Sequence, residues 1–270
     1  MIEIKSKAQG AELTSIKVDG VEKLHDGEKD WNRHAPVLFP IVGQVKNGKT
    51  IIEGKTCKMG QHGFARDMEF EEVASNSYRL KYNEESLEKY PYKFELNISY
   101  KVHENSVLTC YQVKNIDNKK IYFGLGGHPA FVCDYKNSEI EFEQQENNIQ
   151  IFQLENGLVK DKPENRERFT DGNRIILNES IFDNDAIIMK NLISNTIMLK
   201  ENEKQILKFD FTDFPILAIW SKKGANFLCL EPWFNTADTV NSTGNYIDKE
   251  GLISIEPNET FEAKFGVEFI

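Results

Sequence analysis

The chain has 270 residues, 40% of them hydrophobic and 28% charged, which is the composition of a globular protein with a sizeable buried core. Its formal net charge is −10, and the lysines and arginines are scattered, which argues against a nucleic-acid binder or a polybasic membrane-surface protein. A neutral small molecule suits this balance as a partner better than a strongly anionic one.

The first residues, from Met1 to Lys7, lack the apolar stretch of a signal peptide, and the chain is read as cytoplasmic. The first departure from plain patterning is Trp31-Asn-Arg-His-Ala-Pro-Val-Leu-Phe-Pro-Ile-Val-Gly43. Arg33 stands ahead of an apolar run broken by Pro36 and Pro40, on a loop or strand edge. It is either a surface arginine or a planar donor fork for hydroxyl or carboxylate oxygens. The second departure is Met59-Gly-Gln-His-Gly-Phe-Ala-Arg66. His62 lies between two glycines that permit unusual dihedrals or close approach to a ligand, and it is a turn residue or a site residue.

Strand-like segments follow. Ser77–Tyr82 is the first, and 83–90, ended by Pro91, is the one plausibly helical stretch. Phe94, Leu96, Ile98, Tyr100 and Val102 alternate with polar neighbours, a period of two that places one face on a core. Ser106–Asn115 continues the pattern, and Asn115-Ile-Asp-Asn-Lys reads as a turn. The third departure is Phe123-Gly-Leu-Gly-Gly-His-Pro-Ala-Phe131. Pro129 drives His128 into an extended form, and apolar neighbours on both sides suggest burial. It is either a satisfied core histidine or an imidazole that moves protons near neutrality.

Further strands are expected at 139–144, 149–154, 196–200 and 205–211, with turns at Glu155-Asn-Gly and Asp171-Gly-Asn. The longest apolar run, Phe214–Trp220, is too short to span a bilayer. The fourth departure is Ala225-Asn-Phe-Leu-Cys-Leu-Glu-Pro-Trp233. An apolar strand ends there in Glu231, a residue type rarely buried unless paired or functional, and desolvation raises a carboxyl into the range of a competent base. Trp233 offers a flat apolar face with a polar handle, suited to a sugar ring. Phe261, Ala263, Phe265, Val267 and Phe269 close the chain in strict alternation.

Many short strands separated by turns predict an all-β fold, and no internal repeat or linker divides residues 1–270, so one domain is expected. The four cysteines have no zinc-type or paired spacing and read as reduced, structural thiols. The five histidines have no metal-type spacing, and no metal or cofactor is expected.

Taken in order, Arg33 before Pro-Val-Leu-Phe-Pro-Ile-Val-Gly, His62-Gly-Phe-Ala-Arg, Gly-Gly-His128-Pro-Ala-Phe and Leu-Glu231-Pro-Trp resemble the aldose 1-epimerase (galactose mutarotase-like) family, and within it the LacX-like bacterial branch. A fifth segment, Phe182-Asp-Asn-Asp-Ala-Ile-Ile, resembles the one that supplies a substrate-binding aspartate, here Asp185. The resemblance implies a large antiparallel β-sandwich (a supersandwich) with few short helices and a sugar site on a concave sheet face. It also implies a cofactor-free isomerase in which Glu231 is the general base and His128 the general acid of anomer exchange. Arg33, His62 and Asp185 would then hold ring hydroxyls, with Trp233 walling the cleft. A hexose phosphate gripped by Arg33, Arg66 and nearby lysines is one alternative. A non-catalytic sugar-binding protein is another. A glycoside-processing enzyme pairing Glu231 with Asp238 or Asp185 is the third. The chain is expected to be a monomer or a homodimer.

Overall fold

The computed structural model describes residues 1–270, except the side chain of Arg168. Two antiparallel sheets dominate. The larger has nine strands, in the order Arg174–Ile176, Ser138–Phe142, Thr196–Glu201, Lys204–Asp210, Thr260–Phe269, Ser106–Asn115, Phe94–His103, Ser77–Lys81 and Glu71–Ala74. The alternation read from the sequence is the alternation of its two faces. Phe94, Leu96 and Ile98 are buried, while Glu95, Asn97 and Ser99 sit half-buried on the other face.

The second sheet has seven strands and carries a different pattern. Its central strand, Phe227–Trp233, is buried at every residue, because both faces are covered. That strand pairs with Ile216–Trp220 on one side and with Gly126–Gly127 and Ala130–Val132 on the other. Leu228 and Leu230, with Leu217 and Ile219, turn inward onto the nine-stranded sheet and join a core running from Ala11 to Phe269. The two sheets meet in ring contacts such as Phe131 with Phe209 at 6.0 Å and with Phe269 at 6.4 Å. This is a β-sandwich.

Phe227, Cys229, Glu231 and Trp233 turn the other way, onto a second face roofed by loops. Two small apolar clusters lie there. Phe227 and Cys229 pack with Ala130, Ala225, Trp31 and Trp220, and Trp233 packs with Ala218, Ile188, Val42 and Ala237. Glu231 falls between them.

The strands expected from the sequence are present with ends shifted by a residue or two. The one α-helix among the described residues is Glu84–Lys89, closed by a reciprocal cap in which Asn83 Oδ1 accepts from Ser86 N–H and Ser86 Oγ from Asn83 N–H, both at 2.8 Å. The four cysteines are free thiols. No helix is long and apolar enough to cross a membrane.

Candidate functional site

A cavity of about 340 Å³ opens on the loop-covered face, at the small end of the ~300–1,000 Å³ typical of ligand pockets. Glu231 enters it from the central strand and His128 from the two-residue break between Gly126–Gly127 and Ala130–Val132, with Nε2 3.1 Å from Oε2 but short of hydrogen-bond alignment. The paired glycines ahead of His128 are there for room. A Cβ on Gly126 would stand 2.8 Å from Trp233 Cδ1, and one on Gly127 would stand 2.6 Å from Phe265. Opposite Glu231 in the ladder is Ala218, whose small side chain takes little room beside the buried carboxyl.

Burial sets the protonation of this pair. Desolvation pushes Glu231 well above the usual carboxyl range, and the negative charge of Asp185 adds to the rise. The Trp233 indole N–H opposes it without reaching hydrogen-bond geometry. Desolvation, with the positive charge of Arg66, pushes His128 down to about 3. Both groups are driven toward their uncharged forms, so the close contact is a carboxyl facing a neutral imidazole with one proton to share rather than an ion pair.

His62 reaches the cavity from a strained turn. Its φ is +64°, and Gly63 follows at +75°, with so little space that a Cβ there would fall 2.1 Å from the Phe39 carbonyl oxygen. Gly43 N–H donates to His62 Nδ1 at 3.0 Å, which leaves the proton on Nε2. Desolvation first, then the nearness of a second histidine, His128, and the positive charges of Arg66 and Arg33, hold His62 well below the usual histidine range, so it stays a neutral donor.

Asp185 stands at the rim, exposed, with φ +69° and Oδ1 accepting from Ala186 N–H at 2.8 Å. Trp233 walls the cavity and lies 6.4 Å from the His62 ring. Arg33, expected to grip ring hydroxyls, does not line the cavity. Its Nη2 donates to Asp67 Oδ1 at 2.6 Å and its Nη1 to the Arg66 carbonyl at 3.2 Å, because the nearby carboxylate captures the guanidinium behind the turn. Arg66 faces the cavity instead, with Nη2 donating to the Gln61 carbonyl at 2.8 Å and Nε buried without a hydrogen-bond partner, 4.0 Å from Asp67 Oδ2. Trp31 and Trp220 also line it, and neither stood out in the sequence. Trp31 lies in a polar loop and Trp220 ends an apolar run, so neither carried a local signal.

Asp238 belongs elsewhere. It is 4% exposed and makes an ion pair with Lys249 at 2.5 Å, and Lys46 N–H donates to its other oxygen at 2.8 Å. It therefore cannot serve as a second carboxylate beside Glu231. His128, Cys229 and Glu231 present ligand-type atoms within 4.8 Å of one another, a grouping hidden from sequence spacing because His128 comes from a distant segment, between Gly126–Gly127 and Ala130–Val132. Arg66 and Arg33 set a positive field on His128, and burial drives the Cys229 thiol well above its usual range, both of which oppose a cation there.

The cavity concentrates unmet hydrogen-bonding capacity. His128 Nδ1, both Glu231 oxygens, Trp233 Nε1 and Arg66 Nε are buried without a partner among the described residues. Buried polar groups are nearly always paired, so five such atoms around one space mark where a hydroxyl-rich ligand would complete the pairing.

Comparison with known proteins gives a consistent picture. A family model described as aldose 1-epimerase matches residues 2–268. The chromosomal protein LacX of Lactococcus lactis subsp. lactis is 33% identical over 287 residues, covering 98% of this chain and 95% of that protein. The structure of a galactose mutarotase related enzyme from Lactobacillus acidophilus superposes with a TM-score of 0.89 at 30% identity, covering 100% of this chain and 95% of that one. A galactose mutarotase-like protein from Lactobacillus casei gives 0.90 at 28% identity, covering 100% and 97%.

Proposed function

The chain belongs to the aldose 1-epimerase family, and from that premise we propose that it is an isomerase exchanging the α and β anomers of a free aldose by acid–base ring opening. The cluster of five unpartnered buried polar atoms around the His128–Glu231 pair carries this reading.

The proton that the pair shares passes from Glu231 to His128, and Glu231 then takes the proton of the anomeric hydroxyl while His128 gives the shared one to the ring oxygen. The C1–ring-oxygen bond breaks and C1 becomes a carbonyl. Rotation about C1–C2 presents its other face, and on closure Glu231 returns its proton to the carbonyl oxygen while His128 regains one from the hydroxyl that reforms the ring. The pair needs one shared proton throughout, and the opposed shifts of Glu231 and His128 keep that state populated over a wide pH range. His62 Nε2–H, Arg66 and Asp185 hold ring hydroxyls, and Trp233 packs on the apolar face of the ring. Arg33 serves indirectly, by fixing the turn that presents Arg66.

A neutral sugar fits this lining better than a phosphorylated one. Among the described residues, Arg66 is its one arginine, no lysine lines it, and Asp185 and Glu231 bring carboxyls. A dianionic phosphate would meet a single guanidinium.

The test is the optical rotation of freshly dissolved α-glucose and α-galactose with wild type and with Glu231→Gln. Wild type should speed relaxation, and the variant should lose about 10²–10⁴-fold of that rate. Sugar binding without any acceleration would make this a binding protein, and acceleration confined to glucose 6-phosphate would overturn the neutral-sugar assignment.

A further inference from the structure

A catalytic imidazole is ordinarily aimed by a hydrogen bond on its second nitrogen. His128 lacks a well-formed one, since its buried Nδ1 has no partner in hydrogen-bond geometry among the described residues and only its own backbone acts on the ring. The flanking strand Ala130–Val132 and Pro129 fix its backbone but not the rotation of its ring. Its neighbours are aromatic. Trp220 and His62 approach nearly edge-on, at 6.0 Å and 79° and at 5.5 Å and 86°. Trp31 alone among these three lies face-on, with centroids 4.8 Å apart and planes at 28°. Turning the imidazole about Cβ–Cγ would drive its edge into the indole.

We propose that Trp31 is a positioning residue for His128: its indole face sets the plane of the imidazole and so aims Nε2 at Glu231 and the reacting sugar oxygen. The proposal rests on the acid–base reading above.

Trp31 is itself firmly held, although its loop has no regular secondary structure. His25 Nε2 bonds the Trp31 carbonyl at 2.8 Å, and Lys222 Nζ donates to the Asp30 carbonyl at 2.8 Å. Glu12 Oε1 accepts from His34 N–H at 2.7 Å and Ala35 N–H at 3.2 Å, closing the far end of the loop. The indole also stacks on Phe227 at 5.9 Å and meets Trp220 edge-on at 5.7 Å. A loop tied at three points and seated on a strand residue is a rigid support, as a positioning device requires.

Trp31 also borders the cavity, and the two roles separate kinetically. Losing a sugar contact that acts equally in ground and transition states raises KM and spares kcat, while a misaimed acid lowers kcat. The experiment compares Trp31→Leu and Trp31→Phe with wild type by polarimetric kinetics and by NMR of histidine-labelled full-length protein. Trp31→Leu should lower kcat about 10–100-fold, with KM changed by no more than about twofold. Trp31→Phe, which keeps a face, should restore most of the rate. The His128 ring resonance, shifted upfield by the indole, should move toward an ordinary histidine position in the Leu variant. Unchanged kcat in Trp31→Leu, or an effect confined to KM, would overturn the proposal. If wild type shows no mutarotation, the acid–base reading fails by itself. The NMR arm then decides the placement, upheld by a resonance that moves in Trp31→Leu and overturned by one that does not.

Discussion

At the scale of single residues, the site combines two opposed departures from ordinary acidity. The pair carries one proton above the pH at which His128 takes a second, about 3, and below the raised range in which Glu231 lets go. The rate of anomer exchange should therefore stay level as pH falls from 7 through 5, with no fall near the usual histidine value of about 6.5. A pH–rate profile that halves near 6.5 would contradict this. The same burial costs stability. Glu231 is raised on folding, so its contribution is fully present below the unfolded carboxyl range and lost as pH rises through the folded value. Near pH 7, Glu231→Gln removes that cost, and a gain of about 1 kcal/mol would raise the melting midpoint by about 2–4 °C. Calorimetry of the two proteins checks the sign. Glu231, His128, His62 and Trp233 were legible because each interrupts an apolar or glycine-rich stretch beside a proline or glycine. Arg33 and Arg66 were not separable by pattern. Asp67, which bonds Arg33 at 2.6 Å and reaches Arg66 only at 4.0 Å, decides between them only in three dimensions.

At the scale of elements, the site depends on turns as much as on strands. The His62–Gly63 turn is fixed by Gly43 and Phe39, with His62 N–H donating to the Gly43 carbonyl at 2.7 Å and Phe64 N–H to Phe39 at 3.0 Å. Gly63→Ala would force a side chain into a positive φ and onto the Phe39 oxygen. It should cost about 1–3 kcal/mol for the backbone alone, and activity should fall with stability because His62 moves with the turn. Denaturant unfolding beside the rotation assay tests both. Asp238 ties the 236–239 loop to Lys46 and Lys249, and Ala237 in that loop walls the cavity. Asp238→Asn leaves Lys249 buried without its charge partner, and a loss of about 3–5 kcal/mol is expected. A midpoint that stays put would show the pair to be dispensable. The long alternating strands were readable because one face meets core and the other water. The strands Ile187–Lys190, Ile216–Trp220 and Phe227–Trp233 hide their periodicity, because loops cover their second face and make both sides apolar.

At the scale of the whole molecule, one cluster of buried side chains from Ala11 to Phe269 joins both sheets, and we read the chain as one cooperative unit. A single unfolding transition, coincident by fluorescence and circular dichroism, is the expected result, and two separated transitions would divide it. Acid should weaken that unit. Burial tends to raise Glu12, but hydrogen bonds from His34 and the charge of Lys7 outweigh it and hold the carboxyl at about 2. A lowered carboxyl stabilises above its unfolded value and loses that contribution as pH falls toward 2, and His128, lowered as a base, works in the same direction below about 6.5. Glu12→Gln should therefore flatten the loss of stability between about pH 4.5 and 2.

The placement of Glu231 on the second face of a strand whose first face builds the core has an evolutionary consequence. The carboxyl can become an amide of the same shape through a single-nucleotide change, with every inward-facing leucine left in place. The altered protein would fold at least as well and keep the walls that cradle a sugar. Turnover and mere sugar capture are thus neighbouring states in the history open to this scaffold, and a lineage can cross between them in one step without rebuilding its architecture.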